Sequence, residues 1–202
     1  MKSPFFPFLL AAVVTILIGV GVWMEPYFAG DVELTRAFQA AAPNPGWWAT
    51  PISRLAPAPA KYYVMVIALV AAYVLAGWRG LVIVGGLIAL EQYGAESTKA
   101  WFKRPRPSRD LIAVTGNPGG FTFPSTTITF FSVTFGAVAV LAAARRKSPA
   151  RWPIFAVAAA MLVLGCAARV ALGAHWPSDV LLTAVIGLAW IWATTRIVLG
   201  RR

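Results

Sequence analysis

Acidic residues, cysteine and histidine are all scarce in this sequence, and their scarcity limits the disulfides and metal sites that the chain can form. The 202 residues include seven Asp and Glu, one cysteine and one histidine. The cysteine, Cys166, lies within an apolar run and cannot form an internal disulfide, so it is most simply a small buried hydrophobe. One histidine with scattered carboxylates provides no ligand cluster for zinc, so we predict neither a metal nor another cofactor.

Charge of either sign is also low. Charged residues make up 12% of the chain, against about 25% in an ordinary soluble protein. Hydrophobic residues make up 59%, and several apolar stretches approach or reach the roughly 17 to 25 residues that cross a bilayer. The composition therefore excludes a soluble domain and predicts an all-α integral membrane protein.

The net charge of +11 does not indicate a nucleic-acid partner. The basic residues cluster at the ends of the apolar runs rather than on one soluble face. Orientation in the membrane and contact with anionic headgroups explain such a distribution better. No obligate protein partner is evident either.

Apolar runs and the residues that interrupt them predict six transmembrane helices in a single membrane domain over residues 1–202. The second and third are separated only by a short connection around Arg79 and Gly80, so they should form an antiparallel hairpin. The first run is too long for a typical signal core and no small-x-small cleavage site follows it, so we expect a retained anchor. The predicted spans are 5–24, 62–78, 80–98, 127–145, 153–172 and 178–198.

The stretch from about 25 to 61 differs from the spans around it. "DVELTRAFQAAA" has polar and apolar residues at helical spacing, and Trp47 and Trp48 suit a bilayer interface. We predict an interfacial helical segment between spans 1 and 2. It serves as a surface or re-entrant connector, and a part in a lid or lipid entrance is the alternative.

Six spans place both termini on the same side of the membrane. That side receives nine basic residues and no acids, with "RRKSPAR" as its strongest marker. The other side receives nine basic residues and all seven acids, but three of its basic residues are candidates for a site. Without those three, nine basic residues lie on the side of the termini and six on the other side. Because basic residues are retained in the cytoplasm, we expect cytoplasmic termini in a bacterial inner membrane and a site facing the periplasm. The nine basic residues on the side of the termini are Lys2, Arg79, Arg145, Arg146, Lys147, Arg151, Arg196, Arg201 and Arg202.

Two segments of the long loop between spans 3 and 4 carry candidate anion-binding groups. "KAWFKRPRPSRD" contains Lys99 and Arg106, although a basic cluster of this kind could simply bind headgroups or set topology. "GGFTFPSTT" ends in Ser125, which can cap the fourth span. A capped helix start with free N–H groups and hydroxyls can also bind an anion, but capping alone would explain the residues.

The third segment, "ARVALGAHWPSDV", places the only histidine between two spans. An arginine at the depth of Arg169 is costly in a membrane and is by default a functional candidate. Pro177 suits the first turn of span 6, which puts Asp179 where its carboxylate can reach back to His175. Such a carboxylate would fix the tautomer and orient the imidazole. A loop histidine without chemistry is the alternative.

These three segments lie on the same side of the predicted membrane domain. Together they offer fixed cations, a hydroxyl-rich helix start and one oriented imidazole. That combination fits a tetrahedral dianion, and such donors act on the charge that develops during phosphoryl transfer. An imidazole nucleophile would form a phosphohistidine and split the reaction into two steps.

Three motifs resemble the three signatures of the membrane type 2 phosphatidic acid phosphatase superfamily. They are Lys99-x6-Arg106-Pro107, Pro124-Ser125 and Arg169-x5-His175-x3-Asp179. The resemblance implies six spans and a lipid phosphate or diphosphate substrate. It also implies that His175 is the nucleophile and Asp179 its orienting partner. The phosphate would be bound by Lys99, Arg106, Ser125 and Arg169.

The chain departs from the family pattern at two positions. Ala168 replaces a serine before Arg169, and Thr127 replaces the histidine that protonates the leaving group in the family. A threonine hydroxyl cannot act as a general acid near neutral pH, and such catalysis contributes about 10²–10⁴-fold. We therefore expect a preference for a polyprenyl or other lipid diphosphate, whose leaving group needs little protonation. Asp110 or Glu96 could instead supply the proton.

Three other readings stay open at this point. Thr127 could be an engineered replacement in an ordinary family phosphatase. The protein could be a lipid-phosphate-binding pseudoenzyme that releases no phosphate. A lipid phosphotransferase, which passes the phosphoryl group to an acceptor other than water, would use the same residues.

Overall fold

The computed structural model of the chain describes residues 5–145 and 151–200, with the backbone alone at residues 95 and 96. Within these ranges the secondary structure is helical and contains no β-strand, which confirms the predicted all-α architecture. Some residues behind the sequence predictions lie outside this description. They are Lys2, Arg146, Lys147, Arg201 and Arg202, used for orientation, and the side chain of Glu96.

Six long helical runs correspond to the six predicted apolar segments. Their ends agree with prediction within two residues, except that α5 continues four residues past the predicted 98. The fourth run, Thr126–Ala144, comprises α6 (Thr126–Phe131), a π-helical stretch (Ser132–Gly136) and α7 (Ala137–Ala144). The others are α1 (Phe6–Met24), α4 (Ala60–Ala76), α5 (Trp78–Phe102), α8 (Arg151–Ala171) and α9 (Pro177–Val198).

Four of these runs are long and apolar enough to cross a bilayer: α1, Thr126–Ala144, α8 and α9. Helix α4 is apolar but has only 17 residues. Helix α5 has 25 residues but carries charged side chains, among them Glu91 and Lys99. The chain is therefore a multi-pass membrane protein, whereas the number of six spans stays a prediction.

The run Thr126–Ala144 forms the centre of the bundle. In its most apolar window 67% of the residues are buried inside the protein, compared with 17% for α1 at the periphery. Its apolar side chains pack with those of α4, α5, α8 and α9, including Ile83, Leu141 and Ile191. Helix α1 packs against α9, where the Trp190 indole N–H donates to Thr15 Oγ1 at 2.9 Å. The first helix of the central run, α6, packs against α5, α8 and α9.

Helices α4 and α5 form the predicted hairpin, with the turn at Gly77 rather than at Arg79 and Gly80. Gly77 has a φ of +61°, in the region that favours glycine, and it joins the two helices directly. The two helices pack side by side. Because they are antiparallel, the start of α4 and the second half of α5 lie toward the same end of the bundle.

The connector between α1 and α4 contains two α-helices, α2 (Asp31–Ala41) and α3 (Ala49–Ser53), with a short 3-10 helix (Pro45–Trp47) between them. Helix α2 is bound to the loop between α5 and α6 and to the end of α8. The Gln39 amide donates to Ala113 O in the loop at 2.7 Å and to Ala171 O in α8 at 3.1 Å. Trp47 is 78% exposed while Trp48 is half-buried. The predicted helical segment is thus present, and its position at the bilayer interface stays a prediction.

Helix α8 ends in a Schellman motif that leads the chain into the only histidine. Ala174 N–H donates to Arg169 O at 3.1 Å, and Gly173 N–H donates to Val170 O at 2.9 Å. Gly173 has the required left-handed φ of +64°, and a Cβ there would lie 2.1 Å from Ala113 O. Glycine therefore allows both the turn and the close approach of the loop between α5 and α6.

We expect Gly173→Ala to destabilise the folded protein. The left-handed conformation alone costs a Cβ-bearing residue about 1–2 kcal/mol, and displacing the Ala113 carbonyl adds to that cost. Thermal unfolding in detergent would measure the effect. Gly116→Ala is a matched control, because Gly116 has a φ of +71° but nothing within 4 Å of its missing Cβ. Equal losses of stability in the two variants would contradict the close approach at Gly173.

Candidate active site

The three sequence segments meet around His175, which lies in the turn between α8 and α9 and is 1% exposed. Its Nε2 atom is 3.2 Å from Arg106 Nη1 and 3.3 Å from Ser125 Oγ. Arg106 comes from the first segment and Ser125 from the second. The structure therefore brings together residues separated by up to 69 positions in sequence.

The other ring nitrogen faces a second hydroxyl. Nδ1 of His175 is 3.1 Å from Thr122 Oγ1, and this hydroxyl donates to Asp179 Oδ2 at 2.6 Å. The direct separation between Nδ1 and Asp179 Oδ2 is 3.9 Å, longer than a hydrogen bond. The carboxylate thus reaches the imidazole through Thr122 rather than by the direct contact expected from the sequence.

These contacts select one tautomer of His175. The Arg106 guanidinium can only donate, so Nε2 must accept and carry a lone pair. Nδ1 then carries the proton and donates it to Thr122, which donates in turn to Asp179. The chain of donors is consistent at every step, and it leaves the Nε2 lone pair directed toward Arg106 and Ser125.

Asp179 is held by several donors at the start of α9. It is fully buried, and its Oδ2 also accepts from the Trp176 backbone N–H at 2.9 Å, which caps the helix. Its Oδ1 accepts from Arg104 Nη1 in a buried ion pair. A buried carboxylate retains its charge only when it is paired and hydrogen-bonded, and Asp179 meets both conditions.

Arg104 and Asp31 belong to this network although the sequence did not mark them. The Arg104 side chain is fully buried, donates to Ser178 Oγ at 3.1 Å and lies 3.6 Å from Asp31 Oδ2. Asp31 in turn accepts from the Ser178 backbone N–H at 2.9 Å and from its hydroxyl at 2.6 Å. No local pattern identifies either residue, because Ser178, the partner that they share, lies 74 positions from Arg104 and 147 positions from Asp31.

The remaining predicted phosphate ligands lie on the same side of the site. Lys99 is 8% exposed and its Nζ donates to Thr126 Oγ1 at 3.4 Å. Ser125 caps α6, accepting from the Ile128 N–H at 3.4 Å. The Nε of Arg169 is buried and has no hydrogen-bond partner among the described residues. Arg169 therefore offers an unused donor at the edge of the site.

A cavity of about 360 Å³ opens beside these residues. Arg169 and Thr127 both line it, so the position of the missing family histidine faces the same space as the guanidinium. Thr127 is half-buried in the first turn of α6. Four side chains that the sequence did not single out also line the cavity: Ser53, Lys61, Glu91 and Gln92.

Asp110, one of the two suggested alternative acids, lies elsewhere. It is exposed in the loop between α5 and α6, where its carboxylate accepts from Ser108 Oγ at 2.9 Å. Its polar contacts within the described chain are to Ser108 and not to the groups around His175. The side chain of Glu96, the other suggestion, lies outside the described residues.

Burial is the main cause of a strongly lowered pKa at His175. The neighbouring positive charges of Arg169, Arg106 and Lys99 lower the pKa further, to well below the ordinary value of 6.5. The imidazole is consequently neutral around pH 7, as a nucleophile must be. In the parts of the chain that the structure describes, no group of three or more His, Cys, Asp or Glu side chains is placed to hold a metal.

Comparison with known proteins agrees with this arrangement. The sequence model of the PAP2 superfamily matches residues 80–202, the part of the chain that carries all three segments. The chain belongs to the PAP2 superfamily. The family resemblance read from the three motifs is thereby confirmed.

A solved structure shares the PAP2 fold over almost the whole chain. It is the crystal structure of a transmembrane PAP2-type phosphatidylglycerolphosphate phosphatase from Bacillus subtilis, with a TM-score of 0.63 and 20% sequence identity. The match covers 99% of this chain and 96% of the Bacillus chain. No curated protein matches the sequence. At this identity the likeness establishes the fold and leaves the substrate open.

We expect Thr122→Val to lower kcat by about 10- to 100-fold, the equivalent of the 1–3 kcal/mol lost when buried polar groups lose a partner. Valine keeps the shape of threonine but removes the hydroxyl between His175 and Asp179. Phosphate release from a lipid substrate would measure the effect. Thr122→Ser retains the hydroxyl and should stay close to the unsubstituted chain. Unchanged activity in Thr122→Val would contradict the bridging role.

Proposed function

We propose that the protein is a lipid phosphate or diphosphate phosphatase that acts through a phosphohistidine at His175. One observation carries this proposal: the lone pair of Nε2 is directed into a group of N–H and O–H donors from Arg106 and Ser125. A nucleophile surrounded by such donors suits a phosphorus atom whose oxygens they can bind.

The cationic side chains would bind the oxygens of the transferred phosphoryl group. Arg169 offers a planar guanidinium whose buried Nε has no partner among the described residues. Arg106 offers a second guanidinium, which is anchored by donation to Gly119 O and Ala174 O, and Lys99 adds a point charge. When phosphorus approaches Nε2, the donors of Arg106 and Ser125 turn from the imidazole to the phosphate. Because these side chains meet the developing charge, the proposed reaction uses no metal.

The reaction then proceeds in two displacements. Nε2 of His175 forms a bond to phosphorus as the bond to the leaving oxygen breaks, and the Nδ1 proton stays hydrogen-bonded to Thr122. Asp179, through Thr122, stabilises the positive charge that the phosphorylated imidazole carries. A water molecule next attacks phosphorus, which regenerates the neutral imidazole and releases phosphate.

We further propose that a lipid diphosphate, polyprenyl diphosphate included, is a better substrate than a monoester. Thr127 lines the cavity beside Arg169 and cannot protonate an alkoxide. The leaving group of a diphosphate is itself a phosphate and needs little protonation. A monoester is the competing candidate, because the Bacillus protein of the same fold is named a phosphatidylglycerolphosphate phosphatase.

The chain would work as one membrane domain in a bacterial inner membrane. We infer cytoplasmic termini from the basic residues that border the apolar runs, including Arg79, Arg145 and Arg151. His175 and the loop between α5 and α6 then face the periplasm. Fusion of a reporter active only in the cytoplasm to either terminus tests this orientation, and reporter activity from neither terminus would contradict it.

We expect Thr127→His to raise the rate on a lipid monophosphate by about 10²-fold or more, the lower end of general acid catalysis. The rate on the diphosphate with the same tail should change far less. Phosphate release by purified protein from farnesyl monophosphate and farnesyl diphosphate measures both rates. An unsubstituted chain that hydrolyses the monophosphate as fast as the diphosphate would contradict the proposed preference.

His175→Ala separates the phosphatase from a pseudoenzyme, and an added lipid alcohol separates it from a phosphotransferase. It should abolish phosphate release from both farnesyl substrates while leaving the protein folded. A pseudoenzyme would bind the lipids and release no phosphate before or after this substitution. A phosphotransferase would transfer label from the substrate to an added lipid alcohol faster than to water.

A further inference from the structure

A charged pair lies inside the bundle next to the proposed reaction centre. Lys61 in α4 has its Nζ 3.4 Å from Glu91 Oε2 in α5, and the two side chains are 20% and 5% exposed. Both line the cavity that also holds Thr127 and Arg169. Charged side chains inside a membrane protein are costly and are functional candidates.

The pair lies deeper along the bundle than the imidazole. Lys61 Nζ is 5.2 Å from the centre of the Phe130 ring, five residues and about 7.5 Å along the helix from Ser125. On α5, Glu91 precedes Lys99 by eight residues, or about 12 Å. Lys61 and Glu91 therefore lie farther into the helical bundle than His175, on the side where α5 approaches the site and α6 leaves it.

A lipid substrate would extend in that same direction. Its hydrocarbon tail must stay in the bilayer, while its terminal phosphorus must reach Nε2 of His175. In a lipid diphosphate, the phosphate attached to the lipid then lies between the reaction centre and the tail. The cavity lined by Lys61 and Thr127 offers space for that phosphate.

The cavity wall has more donors than acceptors. The Glu91 carboxylate forms an ion pair with Lys61 and accepts from the Gln92 amide at 2.5 Å. The buried Ser53 hydroxyl and the buried Arg169 Nε have no partner in the portion of the chain that is described. The Lys61 ammonium can donate three hydrogen bonds and accepts none. Lining groups of this kind suit an anion.

We propose that Lys61 and Ser53 form a second phosphate subsite, which binds the lipid-attached phosphate of a diphosphate substrate and stabilises it as the leaving group. The proposal rests on the proposed phosphatase function and adds the residues that select the diphosphate. As Nε2 of His175 bonds to the terminal phosphorus, the bridging P–O bond breaks and its electron pair stays on the lipid phosphate. Lys61 meets that charge, so no proton from position 127 is required.

The decisive variant removes both charges of the pair. Lys61→Met alone removes a positive charge beside a buried carboxylate, so the Lys61→Met/Glu91→Gln double variant removes both charges together. We expect it to lower kcat/KM for farnesyl diphosphate by about 10²-fold or more, as loss of one preorganised donor does. Hydrolysis of farnesyl monophosphate should change little, because that substrate has no second phosphate.

Three further variants complete the experiment. Lys61→Arg retains the charge and should restore most of the diphosphate activity. Glu91→Gln alone leaves the lysine charge without its competing carboxylate, and it should lower KM for the diphosphate. Lys103→Met removes an exposed lysine at the end of α5, outside the cavity, and should leave both rates unchanged.

Two results would overturn the subsite. One is an equal loss on both substrates by a folded double variant, which would make the pair structural. The other is undiminished diphosphate hydrolysis. Failure of the phosphatase function itself has a different signature: the unsubstituted chain would release no phosphate from either substrate, or His175→Ala would retain the activity.

Discussion

The buried carboxylate of Asp179 is the group on which the rest of the site depends. Removing a carboxylate from water costs several kcal/mol unless fixed donors replace the lost hydration. Here the replacements come from Arg104, from Thr122 and from the first turn of α9. Each donor ties another part of the chain to this point, and Asp31 extends the network to α2. The same interactions that make the charge tolerable therefore position the imidazole.

The concentration of positive charge around His175 is the second constraint on the site. Burial, together with the nearby positive charges of Arg169, Arg106 and Lys99, keeps the pKa of His175 low. A neutral imidazole among cations is prepared for an anionic substrate, because the phosphate cancels the repulsion and the nitrogen keeps its lone pair. Lys61 and Glu91 continue the charged lining toward the bilayer. In the proposed reaction these cations meet the charge of a leaving group that Thr127 cannot protonate.

The parts of the structure that local sequence patterns determine were predicted correctly. Apolar runs located the six long helices, and motif spacing on one side of the membrane selected the residues that meet at the site. Thr122 and Arg104 were missed because their partners, 57 and 75 positions away at Asp179, leave no local periodicity. For the same reason nothing in the sequence paired Lys61 with Glu91. The sequence predicted a direct contact between Asp179 and His175, and only the tertiary structure shows that the Thr122 hydroxyl lies between them.

The most direct test of the account is to trap the intermediate. Purified protein would be mixed with farnesyl diphosphate carrying a radiolabelled terminal phosphate, quenched in alkali within one turnover, and digested for peptide mapping. The account predicts label on the imidazole of His175, stable in alkali and lost in acid, and none in His175→Ala. Label on another residue, or phosphate release at full rate with no labelled protein, would contradict it.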